Sequence, residues 1–311
     1  MAHEIETMAY AGETPWHELG TRVPADLSPA QMLEKAGLNW NVKKVPAYAE
    51  IGGEKVSIGH SALVRESDNS MLDVVSNDWN VLQNIEAFEF FHDFVANGDM
   101  EMHTAGSLKG GQFVWALAKV NDSFDLFKGD QVDSFLLFSN PHKYGWSIDV
   151  RFTPIRVVCN NTLTLSLNTA SKNFAKISHR RAFDGDLVKE TLGIAKEKLS
   201  SYREMAQMLG GAKYTMGSLT EYFNRVFPVA GAAKKKVISA NAAIAHDVIY
   251  SQPGANFAEG SFWQAFNAVT YMVDHKLGRS QDNRLTNAWF GYGKKTKDNA
   301  LQIAVEMAEA A

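Results

Sequence analysis

Apolar and polar positions alternate through the front half of this chain and shift to a helical spacing in the back half. Ser28-Pro29-Ala-Gln31 is a capping-box start with Pro at the first helical position, and Gly37 closes that short helix. Residues 46 to 82 read as strands. Val56-Ser-Ile58-Gly-His60 alternates, and Leu72-Asp-Val-Val-Ser follows a Ser-Asp-Asn-Ser turn. From Asn84, taken as a cap, Phe88, Phe91, Phe94 and Val95 form the apolar face of a helix that stops at Gly98. Gly106 to Gly111 reads as a turn, after which Phe113, Trp115 and Leu117 share one strand face. Val132 to Phe138 reads as an apolar strand, unbroken from Phe135. Ile148, Val150 and Phe152 alternate with Asp149 and Arg151, which places Arg151 outward.

Between 184 and 209 the period changes. Val188, Leu192, Ala195, Leu199, Tyr202, Ala206 and Leu209 are spaced four and three in turn, the seam of an amphipathic helix running from Leu187 to Leu209. That helix packs across the sheet in the simpler reading and forms an intersubunit seam in the other. Asp184 or Asp186 can cap it, and Gly210-Gly211 stops it. Beyond it, Ser218-Leu-Thr-Glu221 and Ser261-Phe-Trp-Gln264 read as two more capping boxes in a helical region. The predicted fold class is α+β: an antiparallel sheet built from hairpins, crossed by a long amphipathic helix, with a helical C-terminal part. The chain divides softly into an N-terminal docking segment (1–45), an α+β core with a nucleic-acid groove (46–210) and a helical C-terminal region (211–311).

A net charge of -4 argues against a coat on duplex DNA, but it leaves room for a basic groove on an acidic body. Without a run of 18 apolar residues no membrane span is expected, and Met1-Ala-His-Glu-Ile-Glu has neither the basic start nor the apolar core of a signal peptide. Cys159 is the single cysteine, which excludes an internal disulfide and a Cys-rich zinc site and fits a reducing cytoplasm. The histidines show no short ligand pair. Walker, Gly-x-Ser-x-Gly and Gly-x-Gly-x-x-Gly patterns are absent. No cofactor or metal is expected.

Against this background one cation cluster stands out: Lys172, Lys176, His179, Arg180 and Arg181 lie within ten residues. It follows Arg151, Arg156 and the paired Asn160 and Asn161. On a strand from Phe174 to Arg180, Lys176 and Arg180 point to one face. Lys143, Tyr144 and Trp146 on the preceding loop offer a further cation and stacking surfaces. Single-strand binders combine phosphate-tracking cations with aromatic platforms in this way. The plainer alternative is a charged, solvated strand edge, with the asparagines as turn and cap residues.

Arg156-Val-Val-Cys-Asn-Asn-Thr-Leu163 resembles the signature of the phage/plasmid-like protein family, a domain of unknown function in prophages, phages and plasmids. Thr14-Pro-Trp-His17 with Leu19-Gly20 matches too, as does Trp79-Asn-Val-Leu-Gln-Asn84. Further matches are Ala105-Gly106 with Lys109-Gly-Gly-Gln-Phe-Val-Trp115, and Phe262-Trp-Gln-Ala-Phe-Asn-Ala-Val269 with His275. The family often carries His-Asp-Gly after the asparagine that ends the apolar strand. Here Asn140 is followed by Pro141-His142-Lys143-Tyr144-Gly145, so the aspartate of that pattern is missing. The resemblance implies a mobile-element origin among replication and recombination genes. At fold level the order of hairpins, sheet and helix is similar to that of phage single-strand annealing proteins.

The function expected is single-stranded DNA binding and annealing in the bacterial cytoplasm, without covalent chemistry, by a homo-oligomer that can close into a ring. Partners of that role are a phage exonuclease or a host single-strand binding protein. Two alternatives stay open. One is a metal-dependent enzyme on nucleic acid using Asp73, Asp78, Asp149 or Glu86. The other is a non-enzymatic protein that binds a host defence or replication factor.

Overall fold

The computed structural model describes residues 5–12, 19–156, 161–162, 174–192, 195–229, 238–277, 287–288 and 291–310. The chain forms two compact units, each drawn from three stretches: 1–121, 135–151 and 174–193 in the first; 122–134, 152–173 and 194–311 in the second. The long strands carry the chain from one to the other, so the units do not follow a single cut near Gly210.

The first unit holds two sheets. The larger has β1 (Ile5–Tyr10), β2 (Thr21–Arg22), β6 (Met100–Leu108), β7 (Phe113–Phe127), β8 (Asp130–Pro141), β9 (Ile148–Arg156) and β11 (Phe174–Ile177), in the order β11-β9-β8-β7-β6-β1-β2. Pairing with registered partners is antiparallel except between β1 and β2. The first residues, read from sequence as a docking segment, thus supply an inner strand: Met8, Ala9 and Tyr10 are buried. Gly106, read as the start of a turn, lies within β6 opposite Met8, and the turn itself is Lys109-Gly110-Gly111, all at positive φ. The second sheet is a meander, β3 (Val42–Ile51), β4 (Glu54–Arg65) and β5 (Met71–Ser76).

Among the described residues, four short helices complete this unit. In α1 (Pro29–Lys35) Ser28 accepts from the Gln31 amide and Gln31 returns the bond, the full capping box its sequence predicts. The phenylalanine-rich helix is two pieces, α2 (Asn84–Glu89) and α3 (His92–Ala96), and the cap is Gln83 rather than Asn84. The last is α4 (Gly185–Leu192).

The second unit is helical: α5 (Ala195–Gly211), α6 (Met216–Val226), α7 (Ala240–Val248), α8 (Phe262–Tyr271), continued by a π-helical turn to Lys276, and α9 (Tyr292–Glu309). The heptad seam is therefore shared by α4 and α5, and its described members Val188, Tyr202, Ala206 and Leu209 are buried. In this unit α5 packs on α8 and α9. Ser261 caps α8 as predicted, whereas α6 is capped three residues early, by Thr215 with Ser218. The distal ends of β7 and β8 belong to this unit, where the Phe127 ring lies 6.5 Å from that of Trp263. Two-residue β10 (Asn161–Thr162) pairs the end of β9. Among the described residues no helix is long and apolar enough to cross a membrane.

Candidate nucleic-acid interface

β11 and the turn after it set the site. Ile177 pairs with Ile148 and Phe174 with Arg151, so the strand lies along the edge of β9. Ala175 faces inward and Lys176 is exposed. The strand stops at Ile177. Arg181 N–H donates to the Ser178 carbonyl at 3.0 Å, and Arg180 N–H donates to the Ser178 hydroxyl. This turn throws both arginines into solvent. Lys176, Arg180 and Arg181 thus form a cationic ledge. It is tempered by carboxylates: Lys176 sits across from Asp149, and Arg180 lies 3.5 Å from exposed Asp78. The Ser76 hydroxyl, followed by the Arg180 and Lys44 charges, holds the Asp78 carboxyl below the usual range.

His179 is not part of that ledge. It is buried and stacked on Trp79, with ring centroids 4.0 Å apart and planes 10° apart. Its Nδ1 lies 3.0 Å from the Asn80 carbonyl, while Asn80 N–H donates to the His179 carbonyl at 2.6 Å. Burial lowers its pKa, so the ring is neutral at pH 7 and contributes no cation. The expectation of a phosphate-binding histidine is corrected accordingly: an aromatic partner a hundred residues away takes the ring into the core.

Arg151 is corrected in the same way. It is buried, and its Nε and Nη2 donate to the two oxygens of Asp149 on the same strand face. The alternation that reads as an outward charged face is instead a self-neutralised pair inside the unit, as buried charges require. Arg156 and Asn161 lie in β9 and β10, and only their backbone is described. Asn160 and Lys172 fall outside the described residues.

The loop before β9 opens at the same end of the sheet as the end of β11. Tyr144 is exposed, its N–H donating to Asp73 at 2.8 Å. Lys143 is half-buried and donates to the Gln112 side chain. Trp146 packs edge-on against Phe113 at 5.0 Å and is half-buried. Of the two rings named from sequence on this loop, Tyr144 is thus the open one and Trp146 the anchored one.

What the sequence did not assign is the buried polar lattice beneath. Asn84 donates to the carbonyls of Leu38 and Trp40, and its Oδ1 accepts from Nε2 of buried His142 at 3.0 Å. Asn140 donates to the Leu82 carbonyl. Gln83 donates to the Val42 carbonyl and accepts from its amide, each at 2.9 Å. Trp79 through Asn84, noticed only as a family pattern, is therefore a run of clamps. Spacing alone held no signal for these partners.

The four carboxylates of the metal alternative do not converge. Asp73 holds Tyr144, Asp78 holds Ser76, Asp149 holds Arg151, and Glu86 accepts from the Gln83 amide. Among the described residues no group of three His, Cys, Asp or Glu is placed to hold a metal ion.

No curated protein and no solved structure matches this chain. A family profile described as a domain of unknown function (DUF932) matches residues 71–289, a span holding the ledge, the Tyr144 loop and the Trp79–Asn84 clamps. The match covers well over half of the sequence, and the chain belongs to the DUF932 family of uncharacterised, phage- and plasmid-associated domains.

Proposed function

We propose that this protein binds single-stranded DNA and anneals it for a phage or other mobile element, acting as a homo-oligomer in the bacterial host. The observation that carries the reading is the exposed ledge of Lys176, Arg180 and Arg181 at a sheet edge, with the exposed Tyr144 ring on the neighbouring loop. Cations of this kind hold phosphates, and an open aromatic ring stacks bases without regard to sequence. The phage and plasmid association of the family favours a partner met in replication or recombination. No step in this role requires covalent chemistry.

The test is fluorescence anisotropy with a labelled single-stranded oligonucleotide at low and moderate salt. Binding that weakens steeply with salt is expected. Lys176→Glu with Arg180→Glu should weaken it by at least about tenfold while leaving the thermal melt unchanged, because both side chains are exposed. Absence of binding at low salt, or unaltered binding by the double variant, overturns the reading.

A further inference from the structure

The turn that ends β5 surrounds one carboxylate with the donors and cations that bind phosphate. Trp79 N–H donates to the Ser76 carbonyl at 3.1 Å, which closes the turn around Asp78. The Ser76 hydroxyl donates to Asp78 Oδ1. Exposed Lys44 of β3 donates to the carbonyls of Asn77 and Trp79, at 2.8 and 2.9 Å, on either side of Asp78 in sequence. Arg180 Nε lies 3.5 Å from Asp78 Oδ2. A hydroxyl, a guanidinium and a nearby ammonium are the usual partners of a phosphate oxygen. Here an anion of the protein itself already has them. Exposed ion pairs contribute little as a rule, because two free side chains must be held together. The backbone under this one is set by the core. Asp78 precedes Trp79 and Arg180 follows His179, and those two rings are stacked with centroids 4.0 Å apart. Asn80 donates to the His179 carbonyl through its N–H at 2.6 Å and through its side chain at 3.1 Å. The two charges are therefore carried by chain positions locked to each other, while the side chains stay 60% and 71% exposed.

We propose that Asp78 is a built-in competitor for nucleic-acid phosphate: its carboxylate holds Arg180 in the free protein and gives way to a backbone phosphate of single-stranded DNA. The proposal rests on the single-strand reading above and adds the regulation of that ledge. Asp78 sets the affinity below what Lys176, Arg180 and Arg181 could reach alone. As a phosphate leaves, Asp78 takes its cation back, so a strand can pass from the ledge to its complement. The Ser76 hydroxyl has a second part in this. It keeps the carboxylate beside Arg180 rather than in open solvent, ready to return. The contrary role for Asp78 is to orient Arg180 toward DNA, and the two roles predict opposite signs when the charge is removed.

The experiment is anisotropy of a labelled oligothymidylate with the full chain, titrated at several salt concentrations. Asp78→Asn removes the charge but keeps an oxygen that accepts from Ser76, so the turn is retained. It is expected to tighten binding roughly two- to fivefold at low salt, the range an exposed ion pair can withhold. The gain should shrink as salt screens the charges. A competitor acts through its cation, whereas a general change of net charge does not depend on position 180. In an Arg180→Gln background most of the gain from Asp78→Asn should therefore vanish. If the natural chain binds and Asp78→Asn binds equally or more weakly, the competitor role is overturned and the single-strand reading stands. A gain that survives whole in the Arg180→Gln background overturns it too. No binding by either protein at low salt overturns the single-strand reading and this proposal with it.

Discussion

At the residue scale, the buried histidines make stability depend on pH in one direction. His142 is enclosed, its Nε2 donating to Asn84, and burial followed by the neighbouring His179 pushes its pKa down to about 3. His179 moves the same way by burial. In the unfolded chain both titrate near the ordinary value of about 6.5. Between those limits the unfolded state binds more protons. Stability is then complete above about pH 6.5 and declines as the pH falls, by up to about 1.4 kcal/mol per pH unit for His142, with His179 acting in the same direction. Gln at position 142 keeps a donor for Asn84 but does not titrate. His142→Gln is expected to lose less of its melting temperature between pH 7.5 and 5 than the natural chain does. Equal losses would show that His142 is not the sensor. Neither burial was legible in the sequence. His142 sits between a proline and a lysine and His179 in a cation run, so local charge argued for exposure.

At the element scale, local signals were readable and packing signals were not. The box that starts α1 and the Ser261 cap of α8 lie within four residues and formed where their letters stand. Gly106 shows the other case. A glycine near Lys109-Gly-Gly reads as part of one turn, yet it lies in β6, where a Cβ would come 2.5 Å from the Thr7 carbonyl oxygen and 3.2 Å from Trp115. The constraint comes from β1, far away in sequence. Gly106→Ala is expected to cost about 1–3 kcal/mol in urea unfolding, since pairing holds the opposing backbone in place. Gly217→Ala in α6 is the control: its Cβ would meet only the Thr215 hydroxyl at 3.6 Å, and alanine favours the helix. Equal effects at the two positions would refute strand crowding as the reason for Gly106. The same distinction explains Arg151. Its alternation and its pairing with Asp149 across the pleat were visible, but the burial of that pair within a covered sheet was not.

At the scale of the whole molecule, fold class was legible because it needs only periods: two in the front part, 3.6 in the back. Where the chain divides was not, because β7 and β8 carry residues 122–134 into the helical unit. A boundary near Gly210 follows the change of period, whereas packing follows side chains. Within the second unit Phe127 fills the space over Gly210, where a Cβ would approach its ring to 2.2 Å. Tyr202 of α5 meets Trp263 edge-on at 6.1 Å, and Gly129 faces Phe257. A chain ending at Gly211 therefore keeps Phe127, Tyr202 and Leu209 but loses the α8 and α9 residues that cover them. Burying such side chains contributes about 1.5–3 kcal/mol each, a large share of a marginal total. The 1–211 fragment is expected to bind a hydrophobic dye and to be cleaved within 122–134 by limited proteolysis, at protease levels that leave the full chain whole. A fragment that melts cooperatively and resists cleavage there would show that the front part is complete without the helices, and that the change of period marks a true domain boundary.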